Sequence, residues 1–336
     1  MDVNDIAGVG KAIEKLIDLL RGFGWKIHEP YHIKRIADAE SYKRKLETDD
    51  KIYEIEKISE FITKNSNLNI NHNNNGTEIS NANILLENTK ARLVNQELSR
   101  TSNIQNVISK TYDILKDEED VSDKPVDKDW FTRYFNIVQD ISNEDIQDLW
   151  AKLLAGEIKQ PGSFSYRTLE TLKNMTTDEA ELFTKVAKLL FHICYKYNCL
   201  FKKFDLLSKY DIDYIDVVKL VEIGLIVPVE HAVLSFNKFM ILFNDNYLFR
   251  AELEKENLND IETIINNQNV LIVSRVGNEI LKLIDNKYSN NEYFINNIKI
   301  IRDEIKGISN CKLNRIITNE NSITFLEPNE NLINDI

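Results

Sequence analysis

The side chains that chemistry would need are few in this chain and loosely arranged. His192, Cys194 and Cys199 lie close together. A tetrahedral zinc site takes four such ligands at tight spacing, and no Cys-x-x-Cys pair is present. If the helix before them continues, His192 and Cys199 share a face and Cys194 points elsewhere. Buried, inert cysteine is then the expectation. His231 stands alone, as does His72. Pro161-Gly162-Ser163-Phe164-Ser165 brings hydroxyls to a turn, but it lacks the second glycine and the strand of a nucleophile elbow. Gly8-Val9-Gly10 has no preceding strand and carries Ile13 where a third glycine would stand, so it is no dinucleotide site. Glu144 with Asp148, and Asp145 with Asp148, sit at helical spacing and read as solvated acids. Glu157 and Arg167 flank the Pro161-Gly162 turn and are placed to pair across it. No catalytic, cofactor-binding or metal-binding residue is assigned, and an enzyme is disfavoured.

The elements that would carry these residues are clearest between Asp129 and Met175. Trp130, Phe131, Tyr134, Phe135, Val138 and Ile141 form one apolar helical stripe. Ser142 offers an N-cap, with Glu144 and Asp145 in the first turn, where acids suit the helix dipole. Ile146, Leu149, Trp150, Leu153 and Leu154 make a second stripe. Ser163 or Ser165 opens a third helix, with Leu169, Leu172 and Met175 inside. Thr176 to Glu179 is a capping box for a fourth, whose stripe runs Leu182, Phe183, Val186, Leu189, Leu190, Ile193, Tyr197. Short connections predict antiparallel neighbours. The expected core is Trp130, Phe131, Phe135, Leu149, Trp150, Leu153, Leu169 and Phe183. Each large apolar side chain contributes roughly 1.5–3 kcal/mol on burial.

The run ISNEDIQDLWAKLLAGEIKQPGSFSYRTLETL, followed by DEAELF, resembles an uncharacterised bacterial family, the domain of unknown function numbered 2806. More distantly, LWAKLLA followed by a DEA helix is similar to the abortive-infection alpha family of phage-defence proteins. The first resemblance implies no activity. The second implies a part in phage defence and transfers no catalytic residue.

Composition narrows the classes. The chain has 336 residues and a formal charge of −12, a poor default for nucleic-acid binding, which needs clustered Lys and Arg. Three cysteines without a framework pattern fit a reducing, cytoplasmic setting. No apolar run is long enough for a transmembrane helix, and no secretory signal is visible.

The spacing predicts five regions. Residues 1–116 form a helical N-terminal arm. It opens with an amphipathic helix over 3–24, whose apolar side includes Ile13, Leu16 and Leu20, with Trp25 just beyond. These four are the candidate contact residues, for a protein partner, self-association or a membrane surface. A charged helix follows over 33–64, then an Asn-rich loop over 65–75, then a helix over 78–116. Residues 117–129 read as an acidic linker, and 130–198 as the central Trp-rich helical domain. Residues 199–290 are expected to be winged-helix-like: a helix stopped at Gly224, the apolar pair Leu225-Ile226, strands at 235–236, 240–243 and 269–273, and a helix over 278–284. Its recognition-like helix sets Asp211, Asp213, Asp216 and Glu222 against Lys219 alone, the wrong sign for DNA. Residues 291–336 supply a helix over about 290–305, a short strand pair (315–317 with 322–326) and a tail. The fold class expected is mainly α, with a winged-helix-like α+β end. The function expected is a non-enzymatic interaction or regulatory protein, with a DNA-binding regulator and a membrane-surface effector as alternatives.

Overall fold

The computed structural model describes residues 10–22, 76–193, 197–201, 203–227, 239–253, 270–284, 289–304, 308–319 and 322–325. Trp25, His72, Cys194, His231, the expected helix over 33–64, the Asn-rich loop and the strand at 235–236 lie outside these residues. Internal contacts divide the chain into two compact units, Met1–Phe164 and Ser165–Ile336. The division falls inside the stretch expected to be one central domain.

The described part of the first unit is helical. Helix α1 spans Lys11–Gly22, α2 Gly76–Leu115, α3 Lys128–Val138 and α4 Glu144–Lys159. At 1.5 Å per residue α2 is about 60 Å long. Its C-terminal half runs beside α4: Lys110 pairs with Asp148 at 2.5 Å, and the buried Thr111 donates to the Val107 and Ala151 carbonyls. Helices α3 and α4 meet through aromatic rings. Trp130 stacks on Tyr134 at 5.4 Å between centroids, and Tyr134 leans on Trp150 at 5.5 Å. The Tyr134 hydroxyl donates to the Trp150 carbonyl at 2.9 Å, so the phenol is satisfied while buried. Asn143, one residue after the expected Ser142, caps α4 by accepting from the Ile146 N–H. The acidic stretch after α2 belongs to this unit. Val121 and Val126 are buried, and Ser122 donates its N–H to Lys159 O. The Lys15 ammonium donates to the Ser122 and Lys124 carbonyls, and Lys11 pairs with Asp123, which fixes α1 to that stretch.

The second unit corrects the mainly-α expectation, because it is built on an antiparallel sheet. Helices α5 (Tyr166–Asn174) and α6 (Thr177–Ala187) lead in. Strands β1 (Phe191–Ile193) and β2 (Tyr197–Phe201) follow, then α7 (Phe204–Leu207) with a 3-10 turn over Ser208–Tyr210, and α8 (Tyr214–Glu222). Next come β3 (Ile226–Val227), β4 (Phe239–Phe243), β5 (Tyr247–Leu253) and β6 (Val270–Val273). Helices α9 (Arg275–Leu281) and α10 (Asn291–Glu304) precede β7 (Ile308–Asn319) and β8 (Ser322–Phe325). The strand order is β3-β6-β2-β1-β4-β5-β7-β8. Strand β7 serves two partners: residues 308–315 pair with β5, and residues 316–319 pair with β8. The molecule is therefore α+β. The winged-helix-like unit expected over 199–290 does not stand apart. Its expected strands over 240–243 and 269–273 are β4 and β6 of this larger sheet, which also takes in β1 and β7 from outside that range.

The helical stripe expected to run on to Tyr197 stops at Ala187. Beyond it, Phe191 faces Cys199 and Ile193 faces Tyr197 across an antiparallel pair. Alternation of aromatic and branched residues suits that pleat. Phe191 and Phe201 stack at 4.0 Å, and Phe191 also meets Phe294 of α10. The Tyr293 hydroxyl donates to Phe201 O at 2.8 Å, tying α10 to the sheet.

One local and one long-range feature set two of the unit's helix ends. Helix α8 stops at Gly224, in left-handed conformation (φ 78°), where the Gly224 and Leu225 N–H groups donate back to Val221 and Leu220. Helix α5 has Ser165 at its N-cap position, but the serine side chain makes no cap bond. The cap comes from the buried Glu279 of α9, which accepts from the Ser165 N–H and from the Thr168 hydroxyl, both at 2.5 Å. Burial alone would raise this carboxyl. The Ser165 N–H, the Thr168 hydroxyl and Arg275 outweigh burial, and the pKa is lowered.

Two outcomes follow. Trp150→Ala should cost about 3–5 kcal/mol in urea unfolding, because its ring is 1% exposed among other rings. A loss below 1 kcal/mol would show that the aromatic contact does not hold α3 to α4. The lowered pKa means that Glu279 contributes stability at neutral pH. That contribution falls away as pH drops through the ordinary carboxylate range towards the folded value. Thermal melts of the wild type from pH 7 to 3 should steepen in that range, and Glu279→Gln should flatten the slope.

Candidate protein-interaction surface

The groups with chemical potential are separated by the fold. In the sheet register His192 pairs with Asn198 and Cys199 pairs with Phe191. Neighbours along a strand point to opposite faces, so His192 and Cys199 do not converge, unlike on the helix expected there. The His192 ring lies on Phe243 at 4.7 Å. Its pKa is lowered by burial, against an opposing pull from Asp245. Burial pushes the Cys199 thiol up to about 12, so it is an inert thiol at neutral pH. Among the described residues no group of three or more His, Cys, Asp or Glu side chains is placed to hold a metal. The two Glu157 oxygens accept from the backbone N–H groups of Gly162 and Phe164, at 2.6 and 3.0 Å, and so hold the Pro161-Gly162 turn.

The expected core residues are placed as follows. Trp130, Phe131, Trp150 and Leu153 are buried in the first unit, where Phe135 and Leu149 are half-buried. Leu169 and Phe183 are buried in the second unit. Of the candidate contact residues, Ile13, Leu16 and Leu20 are buried, with Ala12 and Ile17, on the inner side of α1. That apolar face is used within its own unit.

The exposed apolar surface lies elsewhere. On α8, Val217 and Leu220 are buried, while Tyr214 and Ile215 are each 56% exposed. The Tyr214 ring meets the half-buried Phe204 ring edge-on at 5.6 Å. Phe204 and Tyr214 thus form a small apolar tip at the start of α8, with Ile215 exposed one residue further on. The sequence put an amphipathic helix here but gave no sign which apolar residues would stay outside. Asp213 and Asp216 cap the helix reciprocally: Asp213 accepts from the Asp216 N–H at 2.9 Å, and Asp216 accepts from the Asp213 N–H at 3.2 Å.

The charge around the tip works against phosphate. Lys219, the one cation on α8, is held by Asp216 at 3.0 Å, and its pKa is raised by that bond. Asp211, Asp213 and Glu222 are exposed beside it. A helix reading DNA would need free cations on this face.

A family model described as "Protein of unknown function (DUF2806)" matches residues 87–299, beginning in α2 and ending in α10. No curated protein and no solved structure matches the chain. Nothing in these findings carries the abortive-infection resemblance. The match covers more than half of the sequence, and the chain belongs to this family.

Substitutions on α8 should separate cap from tip. Asp213→Ala removes half of a capping box and should cost about 1 kcal/mol. Ile215→Ser touches an exposed side chain and should stay within about 0.5 kcal/mol of the wild type. Denaturant midpoints at unchanged slope would check both. A large loss for Ile215→Ser would mean that the tip is structural.

Proposed function

We propose that this family member is a non-enzymatic protein-association module whose second unit meets its partner through the tip of α8. The observation that supports this is the side-by-side exposure of Tyr214 and Ile215, backed by Phe204, on a well-capped helix. Exposed apolar residues scattered singly are ordinary, but clustered on a rigid element they suit protein contact. The electrostatics favour a protein over a nucleic acid, since the one lysine of α8 is engaged by Asp216 and acids stand beside it. Membrane-surface action through α1 has less support. Its apolar side chains are already buried within the first unit, and among the described residues no helix is long and apolar enough to cross a membrane. The partner is another protein or a second copy of this chain. A regulatory role, in phage defence or elsewhere, would act through that contact.

The test places benzoylphenylalanine at Tyr214 in the full chain, irradiated inside the cells that normally make it. The reading expects one discrete protein adduct. The adduct should vanish with Ile215→Asp and be missing when the probe stands at the exposed Lys173 of α5. An adduct of twice the chain mass would identify self-association. No adduct, or one indifferent to Ile215→Asp, would remove the reading.

A further inference from the structure

We infer that α9 is a latch: one short helix that holds the C-terminal turn of α8 and the N-terminus of α5 together, so that loosening either end releases the other. The first end is built by Ser274, the N-cap of α9. Its hydroxyl donates to Gly224 O at 2.6 Å, and its N–H donates to Leu225 O at 2.9 Å. Its hydroxyl also accepts from the Gly277 N–H at 3.0 Å, so one side chain starts α9 and grips the end of α8. Gly277 lets the helix sit close. A Cβ there would stand 2.4 Å from Leu225 O and 2.6 Å from Val273 Cγ1, which no larger residue satisfies without a shift.

The second end is Glu279, just over one turn further along α9. It caps α5 through Ser165 N–H and Thr168 Oγ1, while Arg275 donates to its other oxygen at 2.8 Å. Asn278 anchors the middle, donating to the Val273 and Ser274 carbonyls and pairing with Asn198 of β2. The helix that must carry this load has only seven residues, Arg275–Leu281. An isolated helix of that length is not stable in water, so α9 depends on the burial of Ile280 and Leu281 and on the two grips at its ends. Losing one grip frays α9 and weakens the other.

The consequence concerns position. Ser165 is the first residue of the second unit, and α8 is the proposed contact helix. A partner that shifts the end of α8 would then alter how firmly α5 is capped. This consequence rests on the reading of α8 given above; the latch itself does not.

Amide hydrogen exchange on the full chain, read by mass spectrometry, distinguishes the two. Thr168→Val removes a donor at the α5 end and leaves α8 untouched. Ser274→Ala does the reverse, and Gly277→Ala lifts α9 from Leu225. The latch expects Thr168→Val to speed exchange at Gly224 and Leu225 at least tenfold, and Ser274→Ala to do so at Thr168 and Leu169. Gly277→Ala should do both, with the amides shared by β5 and β7 unchanged. Acceleration confined to the substituted end would overturn the latch. So would equal acceleration of β5 and β7, which would mean that the unit opens only as a whole. Loss of the Tyr214 cross-link with the exchange pattern intact would remove the contact reading and leave the latch standing.

Discussion

One buried carboxylate, Glu279, joins two helices of the second unit. Glu279 stands 114 residues from Ser165 in sequence, yet it accepts from that residue's N–H at the start of α5, where the serine side chain makes no cap bond. A carboxylate in a poorly solvated place is costly unless donors surround it. Here a backbone N–H, a hydroxyl and a guanidinium offset that cost, and Arg275 does so from the solvent side. The carboxylate therefore ties α5 to α9, while Ser274 at the start of α9 separately holds the turn after α8. In the first unit the corresponding constraint is apolar. Tyr134 lies between Trp130 and Trp150 and spends its hydroxyl on the Trp150 carbonyl. One unit is held by rings and the other by a hydrogen-bonded charge on an antiparallel sheet.

Local signals were legible in the sequence where they were strong and short-range. The Trp130 and Trp150 stripes, the Thr176–Glu179 capping box and the glycine stop at Gly224 are each determined by residues a few positions apart. The hairpin β1–β2 was not legible, because Leu189, Leu190 and Ile193 keep a helical period while the real pairing alternates. Period alone cannot separate a short apolar strand from a continuing helix. Strand β7 was read as three residues instead of twelve because Asn310, Lys312 and Asn314 interrupt its apolar positions. Counting only apolar runs thus missed β1 and β2, shortened β7 and placed the chain among mainly helical folds.

The candidate surface was legible only in outline. Sequence pattern marks which helix is amphipathic, but not whether its apolar side is already occupied. Helix α1 has the stronger stripe, and its Ile13, Leu16 and Leu20 turn inward. Helix α8 has the shorter one, and its Tyr214 and Ile215 stay outside. The acids around Lys219 were visible in the sequence, and the geometry adds that Asp216 engages that lysine directly. Glu279 gave no signal, since nothing near it in sequence says that it will cap a helix formed more than a hundred residues earlier.

The central claim, that this chain acts by contact through the tip of α8, is most directly tested by hydroxyl-radical footprinting. Side-chain oxidation of the full-length chain would be compared in buffer and in an extract of the cells that make it. The account predicts that Tyr214 and Ile215 are the side chains most strongly shielded in the extract. Shielding of other exposed apolar residues, such as Leu93 or Ile146, with Tyr214 and Ile215 still open to oxidation, would contradict it.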